Sequence, residues 1–123
     1  MPAFRDCFPI IEVADVRRSL DFYRALLGFR VTFAYPSEED PAFTLMELDG
    51  GGKLAIGGPK DPVETGSTAI WLYTDDVDAA FAQLRDAGVS VISEPADQPW
   101  GERVASLSDP DGYTVHIGSE AGA

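Results

Sequence analysis

Two stretches of the chain carry the same order of apolar and polar positions. Residues 8–58 run Phe-Pro-Ile-Ile-Glu-Val-Ala-Asp-Val onward, and residues 69–118 run Ala-Ile-Trp-Leu-Tyr-Thr-Asp-Asp-Val onward. Each opens on an apolar strand-like run, followed by Asp-Val, an amphipathic helix, a glycine and further strand-like runs. The landmarks keep a near-constant offset: 61 positions from Asp15 to Asp76, 60 from Gly28 to Gly88 and 60 from Gly52 to Gly112. The pattern predicts two half-domains of one design, repeats 8–58 and 67–118, within a single domain of residues 1–123. A duplicated half-domain is expected to build one shared cavity between its copies.

In the first half, Val16, Leu20, Tyr23 and Leu27 recur at helical spacing behind Asp15, whose carboxylate suits the free amides of a first turn, and Gly28 marks the stop. The second half repeats the device with Asp76 as cap, an apolar stripe of Val77, Ala80, Phe81, Leu84 and Ala87, and Gly88 as the stop. Strand-like runs occupy 30–34, 43–48, 54–57, 68–74, 90–93, 103–108 and 113–117. Each half therefore reads β-α-β-β-β, and the fold class is α+β. Residues 36–41 form an acidic loop, 50–52 a glycine turn and 59–66 a linker. Asp109-Pro-Asp-Gly112 is a strong turn signal before the last strand, because proline presets one dihedral and glycine accepts the positive φ that follows. Residues 119–123 read as an unstructured tail.

Charge narrows the partners. Acidic side chains number 21 against 9 basic ones, a net of −12, with no Lys/Arg cluster along the chain. Nucleic acid and anionic membrane are poor partners for such a surface, whereas a cationic small molecule is drawn in. The same acidity also serves solubility alone. The one cysteine, Cys7, permits no internal disulfide, and the first residues lack the long apolar core of a signal peptide, so a reducing cytoplasm is expected. No apolar run is long enough to span a membrane.

Strand alternation gives the first candidate site residues. From Ala69 the same face carries Trp71 and Tyr73, and from Phe8 it carries Ile10 and Glu12. Two readings stand for the rings: a wall for a flat or amphipathic organic ligand, or core between sheet and helix. Trp100 differs, since Gln98-Pro99-Trp100-Gly101 is a turn segment, and a loop aromatic points to a ligand or dimer contact.

The paired β-α-β-β-β pattern, the Asp-Val helix starts, Phe22-Tyr23, Leu27-Gly28-Phe29 and Asp109-Pro-Asp-Gly112 together resemble the vicinal oxygen chelate superfamily. That group holds glyoxalases, extradiol dioxygenases, epimerases, fosfomycin-resistance enzymes and bleomycin resistance proteins. The resemblance covers residues 8–118 and implies that each module curls into half of an open, barrel-like cup. It also implies a divalent metal held by one side chain from the first and one from the last strand of each module. Counting from the landmarks, those positions are Phe8, Ile56, Ala69 and His116. Phenyl, methyl and branched alkyl groups offer no lone pair, so only His116 can coordinate and no metal or other cofactor is expected. Glu12 shares a face with Phe8 and could join His116 in a relocated site, but two ligands are too few; a neutral, hydrogen-bonded imidazole is the plainer reading of His116.

Gln98-Pro-Trp-Gly-Glu-Arg103, the Asp109-Pro turn and Val115-His116, with Phe8-Pro9, Gly28-Phe29 and Phe33, are similar to bleomycin resistance proteins. The resemblance implies an intertwined homodimer with strand exchange at Pro9, and aromatic drug contacts at Phe33, Phe43 and Trp100. The loop at 36–41 is longer than in that family, and Tyr23 stands where its members tend to have Trp. The expected function is therefore metal-free sequestration of a cationic, flat-ringed antibiotic or metabolite by Glu12, Phe33, Phe43, Trp71, Tyr73, Trp100 and His116, without chemistry. The alternative is a glyoxalase-like lyase, isomerase or dioxygenase with an atypical site or with His116 as general base.

Overall fold

The computed structural model describes residues 2–120, so residues 121–123 of the expected tail lie outside it. The chain forms two compact units with the boundary between Glu64 and Thr65. No helix among the described residues is long and apolar enough to cross a membrane.

The first unit contains β1 (Ile10–Glu12), α1 (Val16–Leu20), a π-helical continuation (Asp21–Leu26), β2 (Arg30–Tyr35), β3 (Phe43–Glu47) and β4 (Lys53–Gly57). Its sheet has the order β1-β4-β3-β2, with β1 parallel to β4 and the other pairs antiparallel. The second unit contains β5 (Ala69–Tyr73), α2 (Val77–Asp86), β6 (Val91–Asp97), β7 (Arg103–Ser108) and β8 (Thr114–Gly118). The order β5-β8-β7-β6 repeats the first sheet strand for strand. Both halves are thus β-α-β-β-β modules and the fold is α+β, as the periodicity predicts.

Both helix starts are built as expected. Asp15 accepts from the Arg18 amide and Asp76 from the Ala79 amide, each satisfying a donor the first turn would otherwise leave open. Gly28 and Gly88 follow the helices at φ +85 and +93. The first helix departs from expectation: after Leu20 it widens, and the Leu27 amide reaches the Phe22 carbonyl five residues back. The wide turn accompanies the burial of two consecutive aromatics, Phe22 and Tyr23, whose rings meet edge to face at 4.9 Å.

In the first unit, one face of the sheet carries Ile11, Val13, Thr44, Met46, Leu54 and Ile56, all buried with Val16, Leu20 and Tyr23 of the helical segment. In the second, Val115, Ile117, Ala105 and Leu107 are buried together with Val77, Phe81 and Leu84 of α2. Each large aliphatic side chain so buried contributes about 1.5–3 kcal/mol. The helical segment of each unit covers one face of its sheet.

Two strand boundaries need correction. The run at 90–93 extends to Asp97 despite Pro95, because β6 is an edge strand and its register is broken between Val91 and Ser93 and again between Ser93 and Ala96, so the missing amide costs no ladder bond. The first strand begins at Ile10, which leaves Phe8 and Pro9 ahead of it, although the Pro9 carbonyl still accepts from the Ala55 amide.

Candidate functional site

Cross-strand pairing defines what each open face carries. In the second unit, one row reads Trp71, His116, Ser106 and Ser93 across β5, β8, β7 and β6, and the next reads Tyr73, Gly118, Val104 and Ala96. Trp71 meets His116 at 5.4 Å between ring centroids and Tyr73 at 5.9 Å. The indole lies over the bare Cα of Gly118, where a Cβ would stand 2.8 Å from Trp71 Cζ2. Ser106 Oγ and His116 Nδ1 are 2.7 Å apart, a hydrogen bond whose direction follows the imidazole tautomer. The structure therefore brings Trp71, Tyr73 and His116 into one cluster.

The first unit has the matching rows. One is Ile10, Ala55, Leu45 and Phe33, and the next is Glu12, Gly57, Phe43 and Tyr35. Phe33 and Phe43 lie together with ring centroids 6.3 Å apart. Their common face depends on a register shift between Val31 and Phe33, which turns Val31 toward the helix side and Phe33 away from it. Glu12, at the far edge of the same face, has Lys60 Nζ 3.8 Å away. Alanine and glycine in the central strand leave room between these side chains.

The same pairing revises one position. Trp71 pairs with His116, and its counterpart Ile10 pairs with Ala55, so Ala55 and not Ile56 corresponds to His116. Ile56 pairs with Ile11 and belongs to the face buried under the helix. A one-residue difference in strand register moves a side chain to the opposite face, which the 60-residue landmark count could not resolve. The residues do not fit the metal of the chelating relatives. Alanine at 55 supplies no donor, and no group of three or more His, Cys, Asp or Glu among the described residues could hold an ion.

Trp100 lies in the β6–β7 connection and is 59% exposed. The loop is closed by the Gln98 amide on the Glu102 carbonyl at 2.7 Å and the Gly101 amide on the Gln98 carbonyl at 3.0 Å, with Gly101 at φ +101. Trp100 Nε1 donates to Glu102 Oε1 at 2.5 Å. A hydrogen bond to Glu102 is also the main reason that the Tyr73 phenol titrates above its ordinary value; burial and the negative charges of Glu102 and Glu120 add to it. Glu102 stands in the 98–103 segment that carries the resemblance but not among the site residues expected from the sequence. Its only local signal is its position two residues after Trp100 in a tight connection, which does not reveal its influence on Tyr73 of β5.

The chain belongs to the Glyoxalase/Bleomycin resistance protein/Dioxygenase superfamily, whose profile it matches over residues 9–117. Among solved structures it is similar to TnmS3, an antibiotic binding protein from Streptomyces sp. CB03234, with 29% identity, a TM-score of 0.79 and coverage of 98% of this chain and 99% of that one. It is 29% identical to the phenazine antibiotic resistance protein EhpR of Enterobacter agglomerans, over 94% of this chain and 92% of that protein. It is also 28% identical to the lactoylglutathione lyase of Escherichia coli O157:H7, over 93% and 91% respectively. The proteins it resembles thus include an antibiotic binding protein, an antibiotic resistance protein and a lyase.

Proposed function

We propose that this protein is a cytoplasmic, homodimeric binding protein, one domain built from both repeats, that sequesters a cationic, flat-ringed antibiotic or metabolite without changing it and without a metal. The observation that carries this reading is the makeup of the two open faces. Aromatic side chains, Phe33 and Phe43 in one unit and Trp71 and Tyr73 in the other, stand over central positions reduced to Ala55, Gly57, Gly118 and Ser106. Rings over a floor of small residues suit a planar ligand, which buries much area by stacking. In the second unit Trp100 and His116 add to the ring-lined surface, and in the first unit Glu12 does. TnmS3 and EhpR support an antibiotic as the ligand.

Dimerisation draws on the N-terminal arm. Residues 2–7 are exposed and Phe4 is fully so, while Pro9 stands where the chain enters β1. A partner chain that exchanges this arm at Pro9 would cover an apolar side chain that its own protomer leaves bare.

The test is a tryptophan-fluorescence titration with metal-free bleomycin and with phenazine, and in parallel with Zn²⁺, Mn²⁺, Fe²⁺ and Ni²⁺, on protein whose mass in solution has been measured. Saturable quenching by an organic ligand at micromolar or lower concentration, without a metal response, is expected. Trp100→Ala should fold normally and bind more than about tenfold more weakly, the size of one moderate anchor; equal affinity would remove Trp100 from the site. The second reading, a lyase, is favoured by the likeness to lactoylglutathione lyase and by the Ser106–His116 hydrogen bond. A metal response with no response to either ring system would select it.

A further inference from the structure

We propose that Glu102 is the positioning residue of this site: its carboxylate holds Trp100 and Tyr73 in one frame before any ligand arrives, and its unpaired charge sets the preference for a cationic ring. The inference rests on the binding reading above and adds to it the residue that enforces it. Trp100 and Tyr73 come from different places, the β6–β7 connection and β5, and both are largely exposed, at 59% and 57%. Exposed aromatic side chains with no polar anchor sample several rotamers, and a ligand that stacks on them must first immobilise them. Here the indole N–H is bonded to Glu102 Oε1, and the same carboxylate is the largest influence that raises the titration of the Tyr73 phenol. The backbone of Glu102 is fixed as well, since its carbonyl closes the loop through the Gln98 amide.

The charge on Glu102 is not neutralised by a protein cation. The indole that donates to it is neutral, and no Lys or Arg pairs with it among the described residues. The adjacent Arg103 is fully engaged elsewhere, through Nε and Nη2 with Asp78 at 2.9 Å each and through Nη1 with Asp97 at 3.1 Å. A carboxylate bonded to a neutral indole N–H and to no protein cation is left to pair with a charged ligand. A ring that bears a protonated nitrogen can then stack and pair at one place, combining the attraction of ring faces for cations with that of the carboxylate. A neutral ring of the same shape gains only the stacking.

The experiment compares Glu102→Ala, which removes both the frame and the charge, with Glu102→Gln, whose amide oxygen still accepts from the indole. Three readouts are taken, and the first two need no ligand. The Tyr73 phenol, followed by absorbance against a Tyr73→Phe control, should titrate at lower pH in both variants. Acrylamide quenching of Trp100, measured in a Trp71→Phe background, should rise in Glu102→Ala and stay near wild type in Glu102→Gln. Affinity for metal-free bleomycin should fall about tenfold or more in Glu102→Ala and by less in Glu102→Gln, with phenazine affinity unchanged in Glu102→Gln. If neither the titration nor the quenching moves, the frame does not exist and the inference is overturned, whatever the drug does. If both move but affinity for a probe that binds wild type is unchanged in both variants, the frame is not the ligand wall and the inference is equally overturned. Failure of wild type to bind either probe would instead count against the sequestration reading, while the two ligand-free readouts still decide the frame. Should Glu102→Ala not fold, Glu102→Gln carries the test through the Tyr73 titration and the bleomycin-to-phenazine ratio.

Discussion

Gly118 shows how a single missing Cβ shapes the candidate site. The Trp71 ring occupies the space that any other residue at 118 would fill, since an added Cβ would come 2.8 Å from Cζ2. The obstacle is a half-exposed side chain and not backbone, so Gly118→Ala should leave the unit folded and swing the indole outward. Its emission should shift to the red, and ligand affinity should fall roughly two- to tenfold, the worth of one aromatic stacking partner. An unchanged spectrum would place the ring elsewhere. At this level the sequence was partly legible: alternation put Trp71 and Tyr73 on one face and the landmark count put His116 in the last strand, and β5 pairs with β8 so that Trp71 meets His116. It could not show that Ser106 would meet His116, because that contact depends on the register between β7 and β8, or that Glu102 would act on Tyr73, which lies on another strand well back along the chain.

Among the elements, capping and turns were the most readable features. Asp15, Asp76 and the Asp109 turn act within a few residues, and Asp109 accepts from the amides of Asp111 and Tyr113 as a tight Asx-type closure requires. Bulges were not readable. The shift after Val31 decides that Phe33 stands with Phe43, where plain alternation would have set Val31 and Phe33 on one face. Arg103 ties three elements together, since it joins β7 to the first turn of α2 through Asp78 and to β6 through Asp97. The hydrogen bond from Arg103 holds Asp78 below the ordinary carboxylate range. A depressed folded value stabilises at pH above the unfolded value of about 3.9 and is lost as pH falls from there through the folded value. Arg103→Lys gives up the two-pronged geometry, so its melting temperature should lie below wild type at neutral pH. That gap should narrow as the solution is acidified below about pH 4; a gap independent of pH would mean that packing and not the ion pair is responsible.

For the protein as an electrostatic body, the net charge of −12 and the local charge of Glu102 act over different ranges. The overall field reaches only about 8–10 Å at 0.1–0.15 M salt and chiefly affects encounter. Raising the salt from low to high concentration should therefore slow association of a cationic probe such as metal-free bleomycin, while leaving its dissociation rate nearly constant. Phenazine, being neutral, should associate at the same rate throughout. Stopped-flow fluorescence separates the two rates, and a salt effect confined to dissociation would assign the selectivity to close contact alone.

Repetition, element order, helix caps and turn positions were determined by the sequence, because each is written in spacings of a few residues and in the dihedral freedom of proline and glycine. The family was legible for the same reason, as its marks are those caps and turns. The tertiary structure alone decided the faces and partners: Ala55 in place of Ile56 as the counterpart of His116, Phe33 beside Phe43, and Ser106 against His116. These depend on strand register and bulges, where a shift of one residue reverses a side chain's direction at almost no change in local pattern, so only the pairing between strands could settle them.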